Sequence, residues 1–191
     1  MTPSSKNFRI SRRTSMMAMI AMAAFFSVTS AWALDRGGDG YFHTGSGTRV
    51  KHITIIGDVN VYAIGHAMKD LPPVKSKQAV IDMDTSKFFA WTMLRDVGEE
   101  KIQNALREAY QLNGYGDTAK INQALIVFNK ELTEKTTVRI SYDSATKSTT
   151  FSVGGGSSTT IPSIEFMKAT WSIWFGKIDQ PSLSDALISK I

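Results

Sequence analysis

Between residues 50 and 65 the apolar positions alternate with polar ones, and the period of two predicts a pair of antiparallel strands, Val50 to Ile56 and Val59 to Gly65, turning at Gly57-Asp58. On this pattern Arg49 and Lys51 share a face with Ile53 and Ile55. In the second strand Tyr62, Ile64, His66 and Met68 fall on one side and Val59, Val61 and Ala63 on the other. Leu71-Pro72-Pro73 ends that element, and Ser76 to Asp82 is long enough for a short helix. Lys87 to Leu94 (KFFAWTML) is apolar at nearly every position, which predicts a central strand buried on both faces.

The period then changes. Ile102, Ala105, Leu106, Ala109 and Leu112 recur at helical spacing behind Asp96 and Glu99, a capping-box-like start, and Asn113-Gly114 supplies the stop. A second helix is expected from Thr118 to Leu132 behind an Asp117 cap, so that the two form a hairpin covering the sheet. Thr136 to Tyr142 and Ser148 to Val153 return to strand alternation around a turn. Gly154-Gly155-Gly156 and the serines after it read as a mobile loop. Pro162-Ser163 caps a helix carrying Phe166, Met167, Thr170, Trp171 and Trp174, and a last short helix opens at Pro181-Ser182. Residues 34 to 41 are a loose, glycine-rich lead-in. Strands, a helical hairpin, strands and further helices describe an α+β domain on an antiparallel sheet.

The first 33 residues follow different rules. Lys6, Arg9, Arg12 and Arg13 precede a short apolar run from Met16 to Val28, and Ala31-Trp32-Ala33 places small residues where a signal peptidase reads. The run falls short of the roughly 20 residues needed to span a bilayer. Residues 1–33 are therefore expected to be a signal peptide and residues 34–191 a single periplasmic or secreted domain, with no stable membrane span once the leader is cut. Ser11-Arg12-Arg13 also resembles a twin-arginine export signal, although Ser15 stands where such signals carry a large apolar residue.

Removing the leader changes the charge. The chain carries 22 Lys and Arg against 17 Asp and Glu, but four of the cations and none of the acids lie in the leader, leaving 18 against 17. Most of the basic pI near 9.4 thus belongs to the leader, and nucleic acid is not an expected partner. The absence of cysteine leaves the fold to packing alone.

Self-contained chemistry is scarce. His43, His52 and His66 lack metal-ligand spacing, and with no thiol available neither a metal nor a cofactor is expected. His43 and His52 are read as solvated, and the Asp82/Asp84 pair as solvent-facing. Gly45-Ser46-Gly47 precedes a strand rather than a helix and so lacks a phosphate cradle. There is no G-x-S-x-G elbow. Trp171 and Trp174, three apart on a helix, suit core packing or the wall of an apolar pocket. Arg49, at the mouth of an apolar strand face, is either a rim charge or a head-group clamp.

Four segments in order, GSGTR at 45–49, VYAIGHAM at 61–68, MLRDVGEEKIQNALREA at 93–109 and IPSIEFMKATWSIWFG at 161–176, resemble the chalcone isomerase-like family, in its bacterial exported branch, over residues 38 to 190. The resemblance implies an open-faced β-sandwich, a large antiparallel sheet against a layer of helices with a ligand cleft between them. The family includes plant enzymes that cyclise chalcones, members that hold fatty acids without catalysis, and many bacterial members of unknown role. It implies for Arg49 the part of the arginine that steadies negative charge on the substrate carbonyl in the enzymes and clamps a carboxylate in the fatty-acid holders.

Other enzyme positions are replaced. Tyr62 stands where a water-ordering threonine is carried, Val97 and Glu100 stand at the tyrosine and lysine, Ile173 stands at the late threonine, and Asn104 matches the helix asparagine. The resulting expectation is an exported domain that binds a small apolar ligand, fatty-acid-like or flavonoid-like, by one carboxylate or carbonyl end. Arg49 would hold that end with Tyr62 and Asn104 nearby, and Phe89, Trp91, Trp171 and Trp174 would wall the cleft. Two alternatives stay open. One is an intramolecular lyase or isomerase acting on an enone-like substrate, with Arg49, Tyr62 and Asn104 as its catalytic set. The other is a ligand-free envelope interaction protein.

Overall fold

A computed structural model describes residues 34–154 and 156–191; the expected leader and Gly155 lie outside the described residues. The six strands are β1 (Phe42–Ile53), β2 (Gly57–Met68), β3 (Lys87–Met93), β4 (Thr137–Asp143), β5 (Ser148–Val153) and β6 (Ser157–Pro162). Each pairs antiparallel with the next, so the sheet order is the chain order. Helix α1 (Lys77–Asp82) lies between β2 and β3, α2 (Glu99–Leu112) and α3 (Thr118–Leu125) between β3 and β4, and α4 (Ile164–Phe175) and α5 (Pro181–Ala186) after β6. This is the expected α+β arrangement. Among the described residues no helix is long and apolar enough to cross a membrane.

The core lies on one face of the sheet because alternation sends the large side chains there. Tyr62, Ile64 and Met68 of β2, Phe89, Trp91 and Met93 of β3, Val138, Ile140 and Tyr142 of β4, and Phe151 and Val153 of β5 are all buried. The other face carries small and hydroxylated residues such as Thr92, Thr137, Thr150, Ser152 and Thr160, which are partly or fully exposed. The expected burial of β3 on both faces holds only at its start, where Phe88 packs against Tyr41 and beneath the Arg139 guanidinium, 3.5 Å from the ring centroid; Thr92 is exposed. Helix α4 is the middle of the covering layer. Eight of its twelve residues are buried, and its start is fixed by the Ser163 hydroxyl, which accepts from the Phe166 amide at 3.1 Å.

Several boundaries differ from expectation for identifiable reasons. Strand β1 begins at Phe42 and runs through Gly45-Ser46-Gly47, because α5 lies directly against it: a Cβ on Gly45 would sit 2.1 Å from the Ala186 carbonyl oxygen. The first turn is at residues 54–56, and Gly57, with φ of +80°, opens β2. Asp96 does not cap α2. Its carboxylate accepts from the Glu134 amide at 2.7 Å, and Gly98 takes the cap position without a side-chain bond. Helix α3 stops at Leu125 because Leu132 is drawn into paired backbone bonds with Val97, both 2.9 Å. The serines expected in a loop form β6, an edge strand whose Thr160 hydroxyl meets that of Thr150 at 2.9 Å.

Candidate functional site

The site is made by an irregularity in the first hairpin. Arg49 pairs with Tyr62 and Val50 with Asn60, so Val61 is an extra residue in β2. A one-residue insertion reverses the alternation beyond it. Val59 and Val61, expected on the far face, therefore join Arg49, Lys51, Ile53 and Tyr62 on the face toward the helices.

Helix α2 and the end of α4 do not close onto this stretch. A cavity of 660 Å³ remains between them, lined by the hairpin, by Val97, Ile102, Ala105, Leu106, Ala109 and Leu112, and by Ile173, Trp174 and Ile178. The apolar stripe read on α2 is thus divided. Ile102 and Leu106 are buried, while Leu112 lines the cavity and is 53% exposed. The size and lining are those of a small-molecule site.

Its polar groups gather toward β1 and the rim, with five cations (Arg49, Lys51, Arg95, Lys101, Lys177) against three acids (Asp96, Glu108, Asp179). The Arg49 side chain is 17% exposed and meets Asp179 at 2.6 Å; Lys51 meets the other oxygen of the same carboxylate at 3.0 Å. Burial works to raise the Asp179 pKa, but hydrogen bonds from Lys51 and Arg49 outweigh it and hold the carboxyl below its usual range. Gln180 completes the arrangement. Its side-chain carbonyl accepts from the Val50 amide at 2.9 Å and from Arg49 at 3.3 Å, and its amide donates to the Thr48 carbonyl at 3.0 Å, occupying free backbone groups of the edge strand.

Tyr62 is buried, stacks on Trp91 with centroids 5.4 Å apart, and accepts a hydrogen bond from the Trp174 indole at 3.2 Å. Burial raises its pKa, so the hydroxyl keeps a proton that it can donate to an acceptor in the cavity.

The expected site residues divide three ways. Arg49, Tyr62 and Trp174 line the cavity together. Phe89, Trp91 and Trp171 stand in the core behind it, with Phe89 4.5 Å from the Trp174 ring and 5.1 Å from that of Trp171. Asn104 is exposed on α2, accepts from Arg107 at 2.8 Å, and does not reach the cavity. Asp179 and Gln180 gave no signal in the sequence, since their part depends on the α4–α5 connection returning to β1. His43 and His52 are exposed and pair with Asp39 and Asp58. Among the described residues no three His, Cys, Asp or Glu side chains come together as a metal site.

One open sheet, a helical layer on its inner face and an apolar cavity between the two define the class, an open-faced β-sandwich with an internal pocket. A family model described as chalcone isomerase-like matches residues 27–187, and the chain belongs to that family. Among solved structures it is similar to the fatty-acid binding protein of Arabidopsis thaliana, with a TM-score of 0.64 and 15% identity over 81% of this chain and 90% of that one. At that identity the likeness concerns the fold. No curated protein sequence matches.

Proposed function

We propose that this chain is an exported binding protein whose cavity holds a molecule with an extended apolar body and one carboxylate or carbonyl end. Residues 1–33 serve as the signal peptide, and the domain works in the periplasm or outside the cell. The carrying observation is the 660 Å³ apolar cavity with Arg49 at its wall and cations in excess around it. A carboxylate entering beside Arg49 takes the place of Asp179, whose charge stays compensated by Lys51, so the exchange leaves no carboxylate unpaired. A carbonyl end is served instead by the Tyr62 hydroxyl and the outer guanidinium nitrogens. That a similar fold belongs to a fatty-acid binding protein supports the first kind of ligand. Cyclisation of a chalcone has less support, because Val97 brings only hydrocarbon to the wall where the enzymes carry a tyrosine.

Native mass spectrometry of protein purified from its own compartment tests this reading. The expected result is a population heavier by the mass of one lipid-sized molecule, released by organic solvent. A bare mass, together with no uptake of added fatty acids or flavonoids, contradicts it.

A further inference from the structure

The hairpin that carries Arg49 extends past the cavity and ends in Thr54-Ile55-Ile56, where turn chemistry ordinarily calls for polar residues or glycine. Ile55 is 95% exposed and Ile56 68% exposed, and the Ile56 amide closes the turn by donating to the Ile53 carbonyl at 3.0 Å. Ile53, on the same tip, is already part of the cavity wall. Single exposed apolar residues are ordinary; two adjacent exposed isoleucines within three residues of the cavity-lining Ile53 extend the apolar surface outward from it. The lining of the same cavity adds Arg95, Lys101 and Lys177 against Asp96 and Glu108, none of them in an ion pair among the described residues, which leaves a positive excess.

We infer that this end of the molecule docks on an anionic lipid bilayer, with the Ile55-Ile56 tip entering the headgroup–acyl boundary and Arg95, Lys101 and Lys177 meeting lipid phosphates. The inference rests on the proposed ligand binding, since its use is to let an amphipathic ligand pass between bilayer and cavity without crossing water. Charge selects the partner. A second copy of the chain seated mouth to mouth would bring together two surfaces of the same net positive charge, whereas an anionic surface complements that excess. Short apolar side chains flanked by lysine and arginine are the usual means by which a soluble domain holds to such a surface reversibly.

Flotation with vesicles tests the inference, using protein purified from its own compartment and comparing phosphatidylcholine alone with phosphatidylcholine mixed with phosphatidylglycerol. Partition is expected to favour the anionic vesicles and to weaken with salt. Ile55→Ser with Ile56→Ser should lower it roughly tenfold or more, and changing Arg95, Lys101 or Lys177 to Gln should lower it roughly fivefold for each charge removed. Equal partition on both vesicle types, or partition unchanged in both sets of variants, overturns the docking surface. So does a dimer, seen by sedimentation velocity, that the isoleucine variant dissolves without any vesicle binding. Binding of a soluble fluorescent fatty acid is measured in parallel and should survive the isoleucine changes. If the vesicle pattern holds while fatty-acid binding is absent, the docking stands and the ligand reading fails; if fatty acid binds but vesicles do not, the reverse is true.

Discussion

The two ends of the sheet–helix interface treat their polar groups in opposite ways. At the closed end, His66 lies fully within the core. Its Nε2 accepts from the Trp171 indole at 3.0 Å, which leaves the proton on Nδ1 to go to the Thr44 hydroxyl at 2.7 Å, and Thr44 donates in turn to the Leu187 carbonyl at 2.7 Å. Nearby, the buried Lys87 ammonium donates to the carbonyls of Val80, Ile81 and Met83 at 2.6, 3.2 and 2.8 Å, three acceptors for three protons at the end of α1. Every partner there is a protein group, and all but the partly exposed Met83 are buried. At the open end, Arg49 is paired just as closely, but its partner Asp179 is 52% exposed and shared with a second cation, and the wall beside it faces empty volume. Polar groups whose partners are buried and fully used hold a structure together. Polar groups whose partners are exposed and shared are free to exchange them, and the proposed ligand would enter the balance at the open end.

If this contrast is right, the largest losses of stability come from the closed end. Gly45→Ala drives a methyl into the end of α5, directly before Leu187, whose carbonyl ends the His66 chain. It should cost about 3 kcal/mol in denaturant unfolding.

His66→Gln keeps one donor and one acceptor but loses ring packing against Phe89 and Phe175, and should cost about 2 kcal/mol near neutral pH. It also changes the pH dependence. Burial, aided by the Lys87 charge, holds the His66 pKa well below 6.5. Below pH 6.5 the unfolded chain therefore takes up a proton that the folded chain refuses, and stability falls as the pH falls toward the folded value. Burial also draws the Lys87 pKa down to about 7, against the pull of Asp82 and Asp84. From there to the ordinary 10.5 the unfolded chain again holds more protons, so stability rises with pH across that window. Chemical denaturation at a series of pH values should show His66→Gln losing the acid-side slope and keeping the alkaline-side one; loss of both, or of neither, breaks the separation.

The smallest effect belongs to the open end. Asp179→Asn should leave stability nearly unchanged, because Asp179 is itself 52% exposed and the Asn side chain still offers an oxygen to Arg49. It should also raise the affinity for a long-chain carboxylate about threefold, by freeing Arg49 from its internal competitor.

Most of the fold was legible because period is written in the residues themselves. The alternation at 62–68, 137–143 and 148–153, the stripe on α2 and the Ser163 cap all depend on neighbours in the chain. What was not legible depends on partners far away. Asp96 has the look of a helix cap until the Glu134 amide takes its carboxylate. Strand β6 has a polar sequence because it is an edge with a single inward residue, Ile161, in the buried set. In the site, Arg49 and Tyr62 were found through local pattern and resemblance. The extra residue at Val61, the pairing of Asp179 with Arg49 and the withdrawal of Trp91 and Trp171 into the core are matters of register and packing, which composition does not encode. Asn104 matched a motif position but sits on the outward side of α2, where helix rotation rather than spacing decides what it meets.

The proposed part of Arg49 as an exchangeable clamp at an apolar cavity is reached most directly by one titration: calorimetric binding of a long-chain fatty carboxylate and of the matching alcohol to the wild-type chain and to Arg49→Gln. The wild type should bind the carboxylate at least about tenfold more tightly than the alcohol, and Arg49→Gln should erase that preference while leaving alcohol binding and stability nearly intact. Equal binding of the carboxylate by both proteins would contradict the account.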